Sequence, residues 1–170
     1  MKTKMKVVCV AVLLGLGVQP DAFSQEVPPE RALEMRQALI AWLECEECTE
    51  GQLEALLKQG ELAVPSLAAA LRYGPSPASL ERVQGQLEQT YRELLVYSQT
   101  HDEVKLELKE DEFVKLYLDN YRASHAARAA EALGMVGGEL AKATLDSASR
   151  LRFRADVLAV IQESARRLNR

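Results

Sequence analysis

Two groups of residues in this chain have the types and spacing for chemistry. The first is Cys45-Glu46-Glu47-Cys48. Two thiols two residues apart can close a disulfide, exchange electrons with another dithiol, or supply half of a tetrahedral zinc site. Zinc needs two further ligands, and the chain offers only His101 and His125 with no second cysteine pair. Covalent haem attachment needs a histidine after the second cysteine, where Thr49 stands. A redox thiol needs a lowered pKa, which helix N-termini and cations supply. Here Glu44, Glu46, Glu47 and Glu50 crowd the pair and disfavour a thiolate. A structural disulfide between Cys45 and Cys48 is therefore expected. Closing so short a loop is worth about 2 kcal/mol in the chain-entropy picture. A redox-active or metal-binding pair is the alternative.

The second group is Phe113, Tyr117, Tyr121 and His125, spaced by four, with Arg128 one turn on. That spacing puts them on one stripe of a helix. Such a stripe usually packs into a core. Tyr and Arg are also favoured at binding hot spots, so Tyr117, Tyr121, His125 and Arg128 are the candidate partner-binding residues. Asn120, beside the stripe, is expected to bond a loop backbone. The acids Asp102-Glu103 and Glu110-Asp111-Glu112 read as a solvated loop and a helix N-terminus. Ser76, Ser79 and Ser124 lack an elbow motif, and no glycine-rich phosphate loop is present. No catalytic residue, metal or cofactor is assigned, and the reading is non-enzymatic.

The elements that must hold these residues read as helices throughout. Leu33, Leu39, Ile40 and Leu43 recur at helical spacing with Trp42 beside them. Thr49 and Gln52 form a capping box for a second helix, which stops at Gly60. Leu62 to Leu71 predicts a third, with Pro65 tolerated in its first turn. After the break Gly74-Pro75-Ser76-Pro77, a long helix is predicted from about Ala78 to Ser98. His101 to Asp111 alternates like a strand at Val104, Leu106 and Leu108, but it has no partner strand and reads as a loop or an irregular helical extension. A helix from Asp111 or Glu112 to about Leu133, a short one from Glu139 to about Ser147 beyond the separating Gly137-Gly138, and a last one from about Arg152 to Leu168 complete the chain. The fold class is all-α.

A short passage occurs twice: Gly60-Glu61-Leu62-Ala63 with Leu67, and Gly138-Glu139-Leu140-Ala141 with Leu145. Around the second copy, Arg128, Ala129, Ala132, Leu133, Gly134, Val136 and Gly137 resemble the first helix and turn of a HEAT-like repeat. Around the first, Ala63-Val64-Pro65 with Leu67 resembles the opening of that unit's second helix. The resemblance implies stacked helical hairpins, a short α-solenoid or bundle, and a protein-binding scaffold. Arg154 and Asp156 lie near the place of the Asp/Arg ladder of such units but in a different order.

Basic residues at Lys2, Lys4 and Lys6, the apolar run from Val7 to Val18, and Ala22-Phe23-Ser24 predict a secretory signal over residues 1–24. Cys9 would leave with it. Residues 25–29 then form a flexible mature start, and 30–170 a single all-α HEAT-like domain. Export, to the periplasm or outside, is the expected address, with no membrane span after signal removal. Losing three lysines and Asp21 moves the net charge from −4 to −6. The first part of the mature chain is acidic and residues 121–170 are basic, but nucleic acid is not an expected partner of an exported protein. The partner expected is another protein.

Overall fold

The computed structural model describes residues 28–169 apart from 46, 102 and 104. The predicted signal segment, Cys9 and the first mature residues lie outside the described residues. Seven α-helices follow in order: α1 Pro29–Leu43, α2 Glu50–Leu57, α3 Val64–Tyr73, α4 Pro77–Ser98, α5 Glu110–Val136, α6 Gly138–Ala148 and α7 Ala155–Arg167. There is no strand among the described residues, and the chain is all-α as its periodicity predicts.

Local chemistry sets the starts of several helices. At α2, Gln52 N–H donates to Thr49 Oγ1 and Thr49 N–H donates to Gln52 Oε1 at 2.8 Å, which completes the predicted capping box. Ser76 Oγ accepts the Ser79 N–H at 3.1 Å and starts α4. At α5 the Glu112 carboxylate accepts the Lys109 N–H at 3.1 Å, and Glu110, Asp111 and Glu112 lie in the first turn, where the helix dipole favours them. Between α4 and α5 the described residues form neither helix nor strand.

Two differences from the sequence expectation are informative. α5 does not stop at Leu133 but runs through Gly134 to Val136. Gly134 is helical and serves close packing, since a Cβ there would fall 2.7 Å from Ser164 Cβ of α7. The chain turns at Gly137 and Gly138, the glycine pair expected to separate the two helices, and both have positive φ. Asn120 does not bond a loop backbone; its Oδ1 accepts from Arg154 Nη1 at 2.8 Å. Arg154 also reaches Asp119 at 3.2 Å and Asp156, and so links α5 to α7.

The main core gathers α1, α2, α3, α6, α7 and the second half of α5. Leu56, Leu67, Leu133, Leu145 and Ile161 are fully buried in it. Each such side chain contributes about 1.5–3 kcal/mol. Ala129, Ala130 and Ala132 of α5 are also fully buried, and their small size lets α3 and α7 approach closely. The two copies of the repeated passage meet here. Gly60 and Gly138 both adopt positive φ, +57° and +86°. A Cβ on Gly138 would come within 2.6 Å of Glu61 Oε1. The α2–α3 and α5–α6 hairpins therefore lie side by side, with α3 and α6 running the same way.

α4 is different. None of its residues is buried. Leu80, Val83, Leu87, Tyr91 and Leu94, spaced by three and four, pack along one side onto Phe113, Val114 and Leu118 in the first half of α5. Tyr91 Oη donates to Leu108 O at 3.0 Å and ties α4 to the loop before α5. The other sides of α4 face solvent.

Candidate functional site

The cysteine motif closes the gap between α1 and α2. Cys45 and Cys48 are disulfide-bonded, with Cα atoms 5.2 Å apart. Cys45 is half-buried against the main core and Cys48 is exposed. The Trp42 carbonyl lies 3.0 Å from Cys45 Sγ. An oxidised sulfur carries no proton, so this is a contact in the disulfide and becomes an S–H donor bond only for the thiol.

The end of α1 is bolted to both long helices. The Trp42 indole N–H donates to Arg128 O at 3.0 Å, and Arg128 Nη1 donates back to Leu43 O at 3.1 Å. One residue on, the Glu44 carboxylate accepts from Ser79 Oγ and from Arg82 Nη2, each at 2.6 Å. These are charge-assisted bonds, the stronger kind. The end of α1, the first half of α4 and the middle of α5 thus converge on Glu44 and Cys45.

An open cleft of about 510 Å³ lies where they meet. Glu44 and Cys45 close one end. Arg82, Gln86 and Thr90 of α4 face Tyr121, Ser124 and Arg128 of α5 across it. Burial pushes the Tyr121 phenol up, and the Glu44 carboxylate adds to the shift. Its Oη is buried and has no hydrogen-bond partner among the described residues. Burial pushes the His125 imidazole down; Glu44 opposes this and Arg128 adds to it. His125 Nδ1 likewise has no partner. Burial lowers the Arg128 guanidinium too, but its cation persists at any physiological pH.

The predicted stripe is divided by the fold. Phe113 is buried in the second cluster, with its ring 4.5 Å from that of Tyr117 and 5.5 Å from that of Tyr91. Tyr117 is 46% exposed. Tyr121 and Arg128 line the cleft, whereas His125 is 5% exposed and turned inward. The structure brings Tyr121, Arg128 and Cys45 together and leaves Tyr117 and His125 outside the cleft lining. Sequence reasoning missed Glu44, Ser79 and Arg82 as a group. Ser79 and Arg82 share a helix face by their spacing of three, but nothing local points to the carboxylate that meets them.

Cys45 at the end of the cleft is disulfide-bonded, and beside it the Ser79 hydroxyl donates to Glu44. Among the described residues, no three His, Cys, Asp or Glu side chains gather where they could hold one metal ion. Over the half-buried Val83 and Leu87 the cleft presents side-chain amides, a hydroxyl and charges of both signs. That mixture resembles a wet polypeptide interface. Among the described residues, no helix is long and apolar enough to cross a membrane. No protein-family model, curated protein or solved structure matches the chain.

Proposed function

We propose that this protein is an exported, non-enzymatic, HEAT-like helical scaffold that binds another protein. One observation carries the binding reading. α4 is supported along one side only, so a cleft holding Tyr121 and Arg128 stays open between two helices that are both tied to α1, α4 through Glu44 and α5 through Arg128. The adjacent α2–α3 and α5–α6 hairpins, meeting at Glu61 and Gly138, support the HEAT-like part. The predicted signal over residues 1–24 supports export. In this reading Tyr121 and Arg128 form the inner wall of the docking site, Tyr117 extends it along α5, and His125 backs it from within.

The test is capture from the native envelope, followed by cross-linking and mass spectrometry. Gln86→Arg with Thr90→Arg fills the cleft mouth at two exposed positions without touching its buried wall. Wild type should retain a defined protein and the filled variant should lose it. If wild type retains none, or the filled variant retains the same one, the proposal fails.

A second reading rests on the exposure of Cys48 at the end of the cleft. An accessible disulfide there could exchange with a partner dithiol. The glutamates around the pair oppose it by raising the leaving thiolate's energy. A disulfide that resists mild dithiol reductant in the folded protein removes this reading.

A further inference from the structure

A second surface lies along α3 and α6. Their starts meet at Glu61 and Gly138, and their ends line a shared hollow of about 370 Å³. Its lining is apolar and small: Ala68 and Leu71 from α3, Ala143 and Ala148 from α6, then Leu151 and Phe153. A second hollow of about 290 Å³ adjoins it and shares Leu71, Arg72 and Phe153. Arg72, Arg122, Arg152 and Arg154 surround this one, with Asp119 as its only carboxylate. Arg154 is engaged by Asp119 and Asp156. Arg72, Arg122 and Arg152 make no ion pair among the described residues. Arg72 lies over the Tyr73 ring at 5.6 Å, and Tyr73 is 76% exposed.

We propose that this furrow docks an amphipathic helix of a partner protein, with acidic residues in the helix's first turn, antiparallel to α3 and α6. The proposal rests on the scaffold reading and adds the chemistry of a partner. Charge complementarity chooses the occupant. Asp119 is taken up by Arg154, which leaves Arg72, Arg122 and Arg152 without an ion-pair partner among the described residues, and like charges so placed favour an anion that joins them. They sit at one end of an apolar floor, so the ligand must be apolar along its length and anionic at one end. The direction follows from the helix dipoles. α3 and α6 both end at the arginines, so an incoming helix that starts there lies antiparallel to them. Acids in its first turn then satisfy its own dipole as well as the arginines. The hollow follows α6 from Ala143 to Ala148, about 8 Å at helical rise, so the docked stretch of the partner helix is about two turns. Nucleic acid fits less well, because phosphates would need cations along the whole track and not at one end.

The test uses a fluorescein-labelled helical peptide of leucine, alanine and glutamine with glutamates in its first turn. Its control carries lysines in their place. Binding is read by anisotropy on the full chain, with circular dichroism to verify folding. The glutamate peptide should bind wild type in a salt-sensitive manner and lose about tenfold or more on Arg72→Glu with Arg152→Glu. The lysine peptide should gain on that same variant. Leu151→Asp, which touches no arginine, should weaken the glutamate peptide too. Equal binding of both peptides to wild type overturns the proposal. So does binding of a duplex oligonucleotide or of phosphatidylglycerol vesicles without binding of the glutamate peptide. Envelope capture through the α4–α5 cleft is read in parallel. If capture persists and the peptide does not bind, only the furrow proposal fails. If both are absent, the scaffold reading fails with it.

Discussion

Gly134 of α5 and Ser164 of α7 touch backbone to side chain: a Cβ at position 134 would lie 2.7 Å from Ser164 Cβ and 3.0 Å from its Cα. The two helices are as close as they can be at that level. Gly134 sits inside a helix, where alanine would ordinarily stabilise by about 1 kcal/mol. Here overpacking costs about 1–3 kcal/mol, since Cβ and Cα cannot swing away as a long side chain can. Gly134→Ala is therefore expected to destabilise by up to about 2 kcal/mol net. Ser164→Gly should recover part of that loss in the double variant, whereas Ser164→Ala should not, because it keeps the Cβ. Urea unfolding of the four proteins measures this. A stabilised Gly134→Ala would show that α7 can move aside.

Gly138 offers a contrast. It also lacks room for a Cβ, but the atom in the way is Glu61 Oε1, the end of a flexible side chain. The penalty of Gly138→Ala comes instead from its φ of +86°, a region costing L residues about 1–2 kcal/mol. Truncating Glu61 should thus rescue little. If Glu61→Ala with Gly138→Ala restores wild-type stability, the clash and not the backbone set the cost.

Glu44 is the acceptor that joins α1 to α4. Arg82 is half-exposed and screened, so its pair with Glu44 contributes at most about 1 kcal/mol. Ser79 is no costlier to lose, because its hydroxyl also lies 2.9 Å from Ser76 Oγ and keeps a partner. Glu44→Ala should cost about 1–2 kcal/mol in all, and a Glu44/Ser79 double-variant cycle should show coupling. Additive losses in that cycle would mean the 2.6 Å bond contributes nothing.

The disulfide closes a very short loop. Reduction, or Cys45→Ser with Cys48→Ser, is expected to lower stability by about 2 kcal/mol or less. Cys45 packs on the main core and Cys48 is exposed, so the loss should affect global unfolding without changing the helix content. Melting with and without a dithiol reads the first, and far-ultraviolet circular dichroism the second. A loss of helix on reduction would make the pair a folding requirement and not a staple.

Most helices were legible because their signals are local. Thr49 and Gln52 cap α2, Ser76 starts α4, and the leucine spacings mark the buried faces. The Gly137-Gly138 turn after α5 was legible, but the helix's last residues, Gly134 to Val136, were not. Gly134 has the composition of a stop, and only the closeness of Ser164, thirty residues on, explains why it lies in mid-helix. The repeated Gly-Glu-Leu-Ala passage was visible, but that its copies abut depends on tertiary packing. The site was half legible. Spacing placed Tyr121 and Arg128 on one stripe, yet the stripe spans two environments, because α4 covers the first half of α5 and the main core surrounds the second. Glu44, Ser79 and Arg82 come together across 35 to 38 positions, beyond the reach of any local pattern.

His125 makes the folded state sensitive to acid. Burial holds its imidazole below the ordinary 6.5, with Arg128 adding to the shift and Glu44 opposing it. The unfolded chain takes up a proton near 6.5, and the folded chain only at lower pH. Between those values the unfolded state binds more protons, so stability rises with pH there. The contribution is fully present above 6.5, is lost as pH falls toward the folded value, and changes no further below it. Tyr121 acts at the other extreme. Its phenol is raised above 10.0 by burial first and by Glu44 second, so folding favours the protonated form. That contribution is present below 10 and is lost as pH rises through the folded value. Urea midpoints taken from about pH 7.5 to about pH 5 should fall for wild type and stay flatter for His125→Leu. Tyr121→Phe should leave this acid limb unchanged and should flatten the alkaline limb in a second series carried above about pH 10. An equal acid slope in His125→Leu would mean that the proton is taken up elsewhere. Asp156 cannot supply the slope in this range, because its own window runs from 3.8 down to about 2.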